Sequence, residues 1–197
     1  MLKKFNMTID ILKKTIAKLG YKWFEDQPNI IGIRTTLSIP DIFNDILCIV
    51  YKDADNKEQL FTALITTEPG IYYQKKILNP NGCAVLQPGQ YINCYKLGMH
   101  KDQKALVQVG SVLVKRDKDL NGIAGDSGTL DKGLFGLNIH GATKLSLTKL
   151  IGPWSAGCQV HADWAKKEEM VAICTKYQTV NKGLLTYTLL LESQLCP

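Results

Sequence analysis

The chain has 197 residues, room for one ordinary domain but tight for two, and its 45% hydrophobic and 21% charged content excludes wholesale disorder. Basic residues outnumber acidic ones 24 to 18, a net +6, yet Arg34 and Arg116 are the only arginines; a lysine surface reads phosphates and base edges poorly, which argues against nucleic acid as a partner. No apolar run reaches the ~20 residues of a membrane-spanning helix, and six cysteines without a CxxC pair exclude a disulfide scaffold and a zinc ribbon.

Met1-Leu2-Lys3-Lys4 opens like a secretory leader, but no uninterrupted apolar core and no small-residue cleavage site follow. Thr8 instead reads as a helix N-cap with Asp10 in the first turn. Ile9, Leu12, Ile16 and Leu19 form one apolar stripe that Gly20 stops, so 8–19 is expected to be an amphipathic helix. Without a leader, the expectation is a chain made in the cytoplasm with reduced thiols.

Segments 29–36, 45–51 and 59–66 read as strands rich in Ile, Val, Thr and aromatics, with 53–57 as a hairpin loop between the last two. Further strands are expected at 70–73, 83–86, 91–97, 105–115, 135–140 and 184–191, several set off by Pro-Gly and Asn-Gly turns. A second helix is expected at about 162–174, with Asp163 near its start and Trp164, Val171 and Cys174 on its buried side. Two helices among so many strands indicate a mainly β single domain, a sandwich or distorted barrel. Residues 1–27 form a helix and connector packed on a domain at 28–197.

Within the acidic stretch, Asp117-Lys118-Asp119-Leu120-Asn121-Gly122 is D-x-D-x-N-G, the opening of an oxygen-rich calcium loop. Its twelfth position is Gly128 rather than a bidentate glutamate, so it is not an EF-hand, although Asp126 is a substitute ligand. A polar turn in which Asp and Asn cap their own backbone is the alternative. No cofactor is expected.

The stretch richest in chemistry is Phe135-Gly136-Leu137-Asn138-Ile139-His140-Gly141, followed by Ile151-Gly152-Pro153-Trp154-Ser155-Ala156-Gly157-Cys158. A strand ends in a histidine, and a cysteine follows in a Ser-x-Gly-Cys turn. Small residues beside the sulfur admit a substrate backbone, and the N–H groups around Gly157 and Cys158 are available to an oxyanion. A histidine beside the cysteine is expected to hold it as a thiolate at neutral pH. Asn138 lies on the face of His140, while Ser155 and a backbone carbonyl are equal candidates to orient the imidazole. Trp154 is read as a groove floor or a core aromatic, and His100 as a further residue reaching the cleft.

His140-Gly141, Ile151-Gly152 and Ser155-Ala156-Gly157-Cys158 resemble the signature of the L,D-transpeptidase catalytic domain (the YkuD-like fold): a His-Gly, an Ile-Gly before the turn, and Ser-His-Gly-Cys. Thr67-Glu68-Pro69-Gly70-Ile71-Tyr72 is similar to the family's Thr-Pro-x-Gly-x-Tyr strand with one residue added, and 133–160 also resembles cell-wall-associated sequences of phage and gut bacteria. The chain departs from the pattern at Ala156, where the family has histidine, and at Val160, where it has arginine. The resemblance implies cysteine acyl transfer or hydrolysis on peptidoglycan stem peptides, with Cys158 as nucleophile, His140 as general base, Gly157 and Ser155 in the oxyanion turn, and Gly141, Asn138 and Trp154 forming the site. The two departures keep a non-catalytic wall-peptide binder open. A cysteine peptidase of the papain-like kind is disfavoured because its cysteine precedes its histidine. Action on a wall would require release or another export route, and the oligomeric state is not set by the sequence.

Overall fold

The computed structural model describes residues 7–36, 39–119, 121–145 and 147–196. The lysine-bearing start at 1–4 and position 120 of the acidic stretch lie outside them. The protein is mainly β, an eight-stranded closed barrel with a three-stranded sheet beside it and three α-helices among the described residues.

Helix α1 (Ile9–Lys18) begins where Thr8 Oγ1 accepts the Ile11 N–H, and Gly20, at φ +69°, releases the chain. Its stripe covers the outer face of the barrel, burying Leu12 and Ile16 against Ile31, Ile33, Cys48, Val50 and Leu190. Each such side chain contributes about 1.5–3 kcal/mol of burial. No helix is long and apolar enough to cross a membrane among the described residues.

Strand β1 (Asn29–Arg34) lies between β2 (Asp45–Lys52) and the parallel β11 (Leu185–Leu191). The circuit continues through β5 (Gly89–His100), β6 (Gln103–Gln108), β9 (Ile139–Gly141), β10 (Gln159–His161) and β3 (Glu58–Thr66), which pairs with β2 and closes the barrel. The side sheet joins β4 (Cys83–Leu86), β7 (Val112–Asp117) and β8 (Thr129–Gly133). Ala84, Leu86, Val112 and Val114 of this sheet share one core with the barrel interior and with Met170, Val171, Ile173 and Cys174 of helix α3 (Trp164–Thr175).

Four sequence expectations are corrected. Segment 70–73 is not a strand but opens helix α2 (Ile71–Lys75), because the Gly70 N–H is taken by the Ser155 carbonyl while the N–H groups of Tyr73 and Gln74 turn back to the Gly70 carbonyl. The expected strand 105–115 is two strands, split at 109–111, where the Val109 and Gly110 N–H groups both bond the Cys94 carbonyl. Only the end of 135–140 is strand, since Gly136 takes φ +71° and the Phe135 and Leu137 N–H groups bond the Gln108 side chain instead of a neighbouring strand. Trp164 is half-buried rather than core, with Lys144 and Lys167 against its ring.

Candidate active site

Strands β9 and β10 run parallel with Val160 opposite His140. Cys158 precedes Val160 by two residues and Asn138 precedes His140 by two, so the strand period places Cys158, Asn138 and His140 on one face of neighbouring chains. The opposite face turns Ile139 into the core and Gln159 toward Tyr187. Register thus sets Cys158 and His140 on one face, the arrangement that the expected pairing requires.

His140 is buried, and its Nδ1 donates to its neighbour's carbonyl, Gly141 O, at 2.9 Å. A carbonyl oxygen only accepts, so the proton sits on Nδ1 and Nε2 keeps the basic lone pair. Of the candidates for orienting the imidazole, the backbone carbonyl fills the role. Gln103 fixes that carbonyl: its Nε2 donates to Gly141 O at 3.1 Å, and its Oε1 accepts the Gly141 N–H at 2.9 Å. A side chain at 141 would press on Trp164 at 3.0 Å and Lys167 at 3.2 Å.

His100 stacks on His140 with ring centroids 4.2 Å apart and planes at 16°. Asn138 serves His100, not His140. Its Oδ1 accepts the Gln108 N–H and its Nδ2 donates to His100 Nδ1, which places the His100 proton on Nε2.

The Cys158 turn is built from behind. Gly157 adopts φ +129°, and a Cβ there would strike the Ala84 carbonyl and lie 2.9 Å from Leu137. Gln159, fully buried, donates to Gly157 O at 3.2 Å and accepts from the Tyr187 hydroxyl at 3.1 Å. Ser155 Oγ donates to Cys158 O at 2.8 Å and accepts the Gly157 N–H at 3.1 Å. This corrects the expected oxyanion hole: the Gly157 N–H is already used, leaving the Cys158 N–H without a protein acceptor among the described residues.

Burial also corrects the expected thiolate. The Cys158 thiol, 3.5 Å from Gly136 O, is pushed up to about 11 by burial, against the smaller opposing pulls of the Asn138 N–H and Lys101. Burial takes His140 down to about 4; the Gly141 bond opposes this, while the positive fields of His100, Lys101 and Lys167 add to it. The resting pair is thus a neutral thiol and a neutral imidazole.

Two clefts flank the turn. One of about 280 Å³ is lined by His100, Lys101, His140, Trp154 and Trp164, which makes Trp154, 39% exposed, a groove residue rather than a core one. The other, of about 400 Å³, runs from Ala156 and Leu137 to Arg116. A third, of about 470 Å³, is lined by residues that include Phe24, Gln27, Tyr51 and Lys176 and shares no residue with either. Val160, which stands where the resembled pattern has arginine, is fully buried with Phe43, Ala142, Ile151 and Ala162.

The acidic stretch brings one oxygen each of Asp117, Asp119 and Asp126 within 4.8 Å of one another. The Gly125 N–H and Ser127 Oγ bond Asp117, Ser127 Oγ also bonds Asp119, and Asn121 Nδ2 bonds Asp119 and Asp126. Asp117, Asp119 and Asn121 also accept the N–H groups of Asp119, Asn121 and Ile123 in turn, the backbone caps of the polar-turn alternative.

Gln103, Gln108, Gln159, Tyr187, Lys101 and Arg116 are the site residues that sequence reading missed. Gln159 carried the one local signal, a long amide following the cysteine directly in a strand. All six cysteines are free. No family model, curated protein or solved structure matches the chain.

Proposed function

We propose that the protein is a cysteine-dependent acyltransferase or hydrolase of peptidoglycan stem peptides, with the barrel as an L,D-transpeptidase-type catalytic domain. The observation that carries the reading is the shared face of Cys158 and His140, with His140 lining one cleft, Ala156 of the Cys158 turn lining the other, and the Gly141 carbonyl holding the imidazole as its Nδ1–H tautomer.

Because the resting pair is neutral, the proton moves as the bond forms. His140 Nε2 takes the thiol proton while Cys158 Sγ attacks the peptide carbonyl carbon, and the Cys158 N–H receives the developing oxyanion. The carbon–nitrogen bond then breaks, and the leaving amine takes the proton back from His140, leaving a thioester on Cys158. An incoming amine or water gives its proton to His140, attacks the thioester and releases the thiol. An amine acceptor makes a cross-link, and water completes a hydrolysis.

Mass spectrometry of muropeptides incubated with wild type and with Cys158→Ala tests the reading and identifies the acceptor. New or shortened muropeptides are expected with wild type alone, and equal processing by the variant overturns the assignment. One observation, the raised thiol, favours a second reading: a binder of wall peptides without turnover. It predicts that wild type and Cys158→Ala retain muropeptides equally and alter neither.

A further inference from the structure

The second cleft holds one charged side chain. Arg116 lies on β7, 8% exposed, with its guanidinium carbon 4.4 Å from the centroid of the Phe135 ring. Its Nε bonds Asp131 Oδ2 at 3.0 Å, and its Nη1 reaches the Gly82 carbonyl at 3.5 Å. Nε and Nη1 point to different sides of the guanidinium, and Nη2 between them is without a protein acceptor among the described residues. Asp131 does not line the cleft; the side chains around Arg116 include Leu78, Asn79, Leu134, Phe135 and Leu137, with no carboxylate among the described residues. A guanidinium packed on an aromatic ring, with Nη2 unengaged and mostly apolar side chains around it, fits a carboxylate.

The cleft ends beside the turn that carries Cys158. Ala156 lines it two residues before Cys158, and Phe135 and Leu137 bracket Gly136, whose carbonyl touches the thiol. The Gln108 side chain holds the N–H groups of both Phe135 and Leu137, so the ring under Arg116 and the carbonyl beside Cys158 belong to one braced segment.

We infer that Arg116 is the anchor for a substrate carboxylate, and that the cleft from Arg116 to Ala156 seats the acidic side of the peptide whose carbonyl faces Cys158. This rests on the stem-peptide reading and deepens it, by assigning recognition to a residue far from the Cys158 turn in sequence. In a γ-glutamyl stem peptide two carboxylates have this chemistry, the α-carboxylate of the glutamyl residue and the C-terminal carboxylate.

Calorimetric binding of the tetrapeptide L-Ala-γ-D-Glu-L-Lys-D-Ala to the full chain carrying Cys158→Ala, which removes turnover, tests the inference apart from catalysis. Three further peptides have the glutamyl α-carboxylate, the C-terminus or both amidated. Amidation of one of the two carboxylates is expected to weaken binding about tenfold or more, the worth of a charge-assisted hydrogen bond, and identifies which carboxylate Arg116 holds. Adding Arg116→Gln is expected to remove that discrimination, and Arg116→Lys to retain part of it. Thermal melts of each variant establish that it is folded, and the peptide series on unaltered Arg116 stands even where a variant is not. Equal affinity for all four peptides, discrimination that survives in folded Arg116→Gln, or absence of binding overturns the inference. Carboxylate-dependent binding in a protein whose Cys158 never turns over would overturn the catalytic reading and leave the Arg116 anchor standing.

Discussion

The outer face under α1 and the face that carries Cys158 are built by different means. Under α1, Leu12 and Ile16 meet Ile31, Ile33, Cys48 and Val50 in an apolar contact that specifies position by shape and burial. Around Cys158, position comes from amide side chains that bond backbone groups: Gln103 to Gly141, Gln108 to Phe135 and Leu137, and Gln159 to Gly157. Burial holds the first region together and tolerates small adjustments. Hydrogen-bond geometry fixes the second, where a misplaced carbonyl would turn the His140 imidazole.

Substitutions that separate fold from chemistry sharpen this contrast. The largest effect is expected from His140→Ala, which removes the base and should lower turnover by about 10⁴-fold while the thermal melt stays close to wild type. A melt that collapses with activity would make His140 structural. Next is Leu12→Ala, which should cost about 3 kcal/mol in denaturant unfolding and leave turnover per folded molecule unchanged. Lost activity in the folded variant would mean that the two faces are coupled.

Gln103→Leu is expected to lower kcat about ten- to hundredfold with little change in KM, because Gly141 loses both of its bonds to Gln103 and the imidazole loses its aim. Unchanged kcat would leave Gln103 a packing residue only.

The smallest effect at neutral pH is from protonation. His140 stays neutral down to about 4, so the acid limb of activity should fall through about 4 rather than near the ordinary histidine value. Burial also holds His161 down to about 3, with the positive fields of His140 and Lys167 adding to it. Both folded values lie below the unfolded one, so the unfolded chain binds more protons as pH falls from about 6.5, and stability drops over that range. His161 has Nε2 3.3 Å from Met170 Sδ and an unpartnered Nδ1, so His161→Leu should flatten the fall in melting temperature between pH 7 and pH 4. An unchanged slope would place the acid sensitivity elsewhere.

The same division explains what the sequence revealed. Helix α1 was legible to its cap because Thr8, the stripe and Gly20 act within a few residues of one another. β4 was legible as a short apolar run, Cys83–Leu86, between a turn and a glutamine. The short β10 was not, because three residues carry no period and its pairing is set by β9 and β3. The 135–138 segment looked like strand by composition, but its Phe135 and Leu137 N–H groups go to a glutamine 27 to 29 positions away. His140 and Cys158 were found from residue types in a glycine-rich turn, whereas their resting protonation follows from burial, which no local pattern records.

The central claim is that Cys158 becomes acylated with the help of His140. Intact-protein mass spectrometry, on samples quenched during incubation with a stem tetrapeptide, tests it most directly. Wild type should gain the mass of the acyl portion, mapped by digestion to Cys158; the adduct should be absent in Cys158→Ala and form far more slowly in His140→Ala. Stem-peptide turnover with no adduct on Cys158 at any quench time, or an adduct on another cysteine, would contradict it.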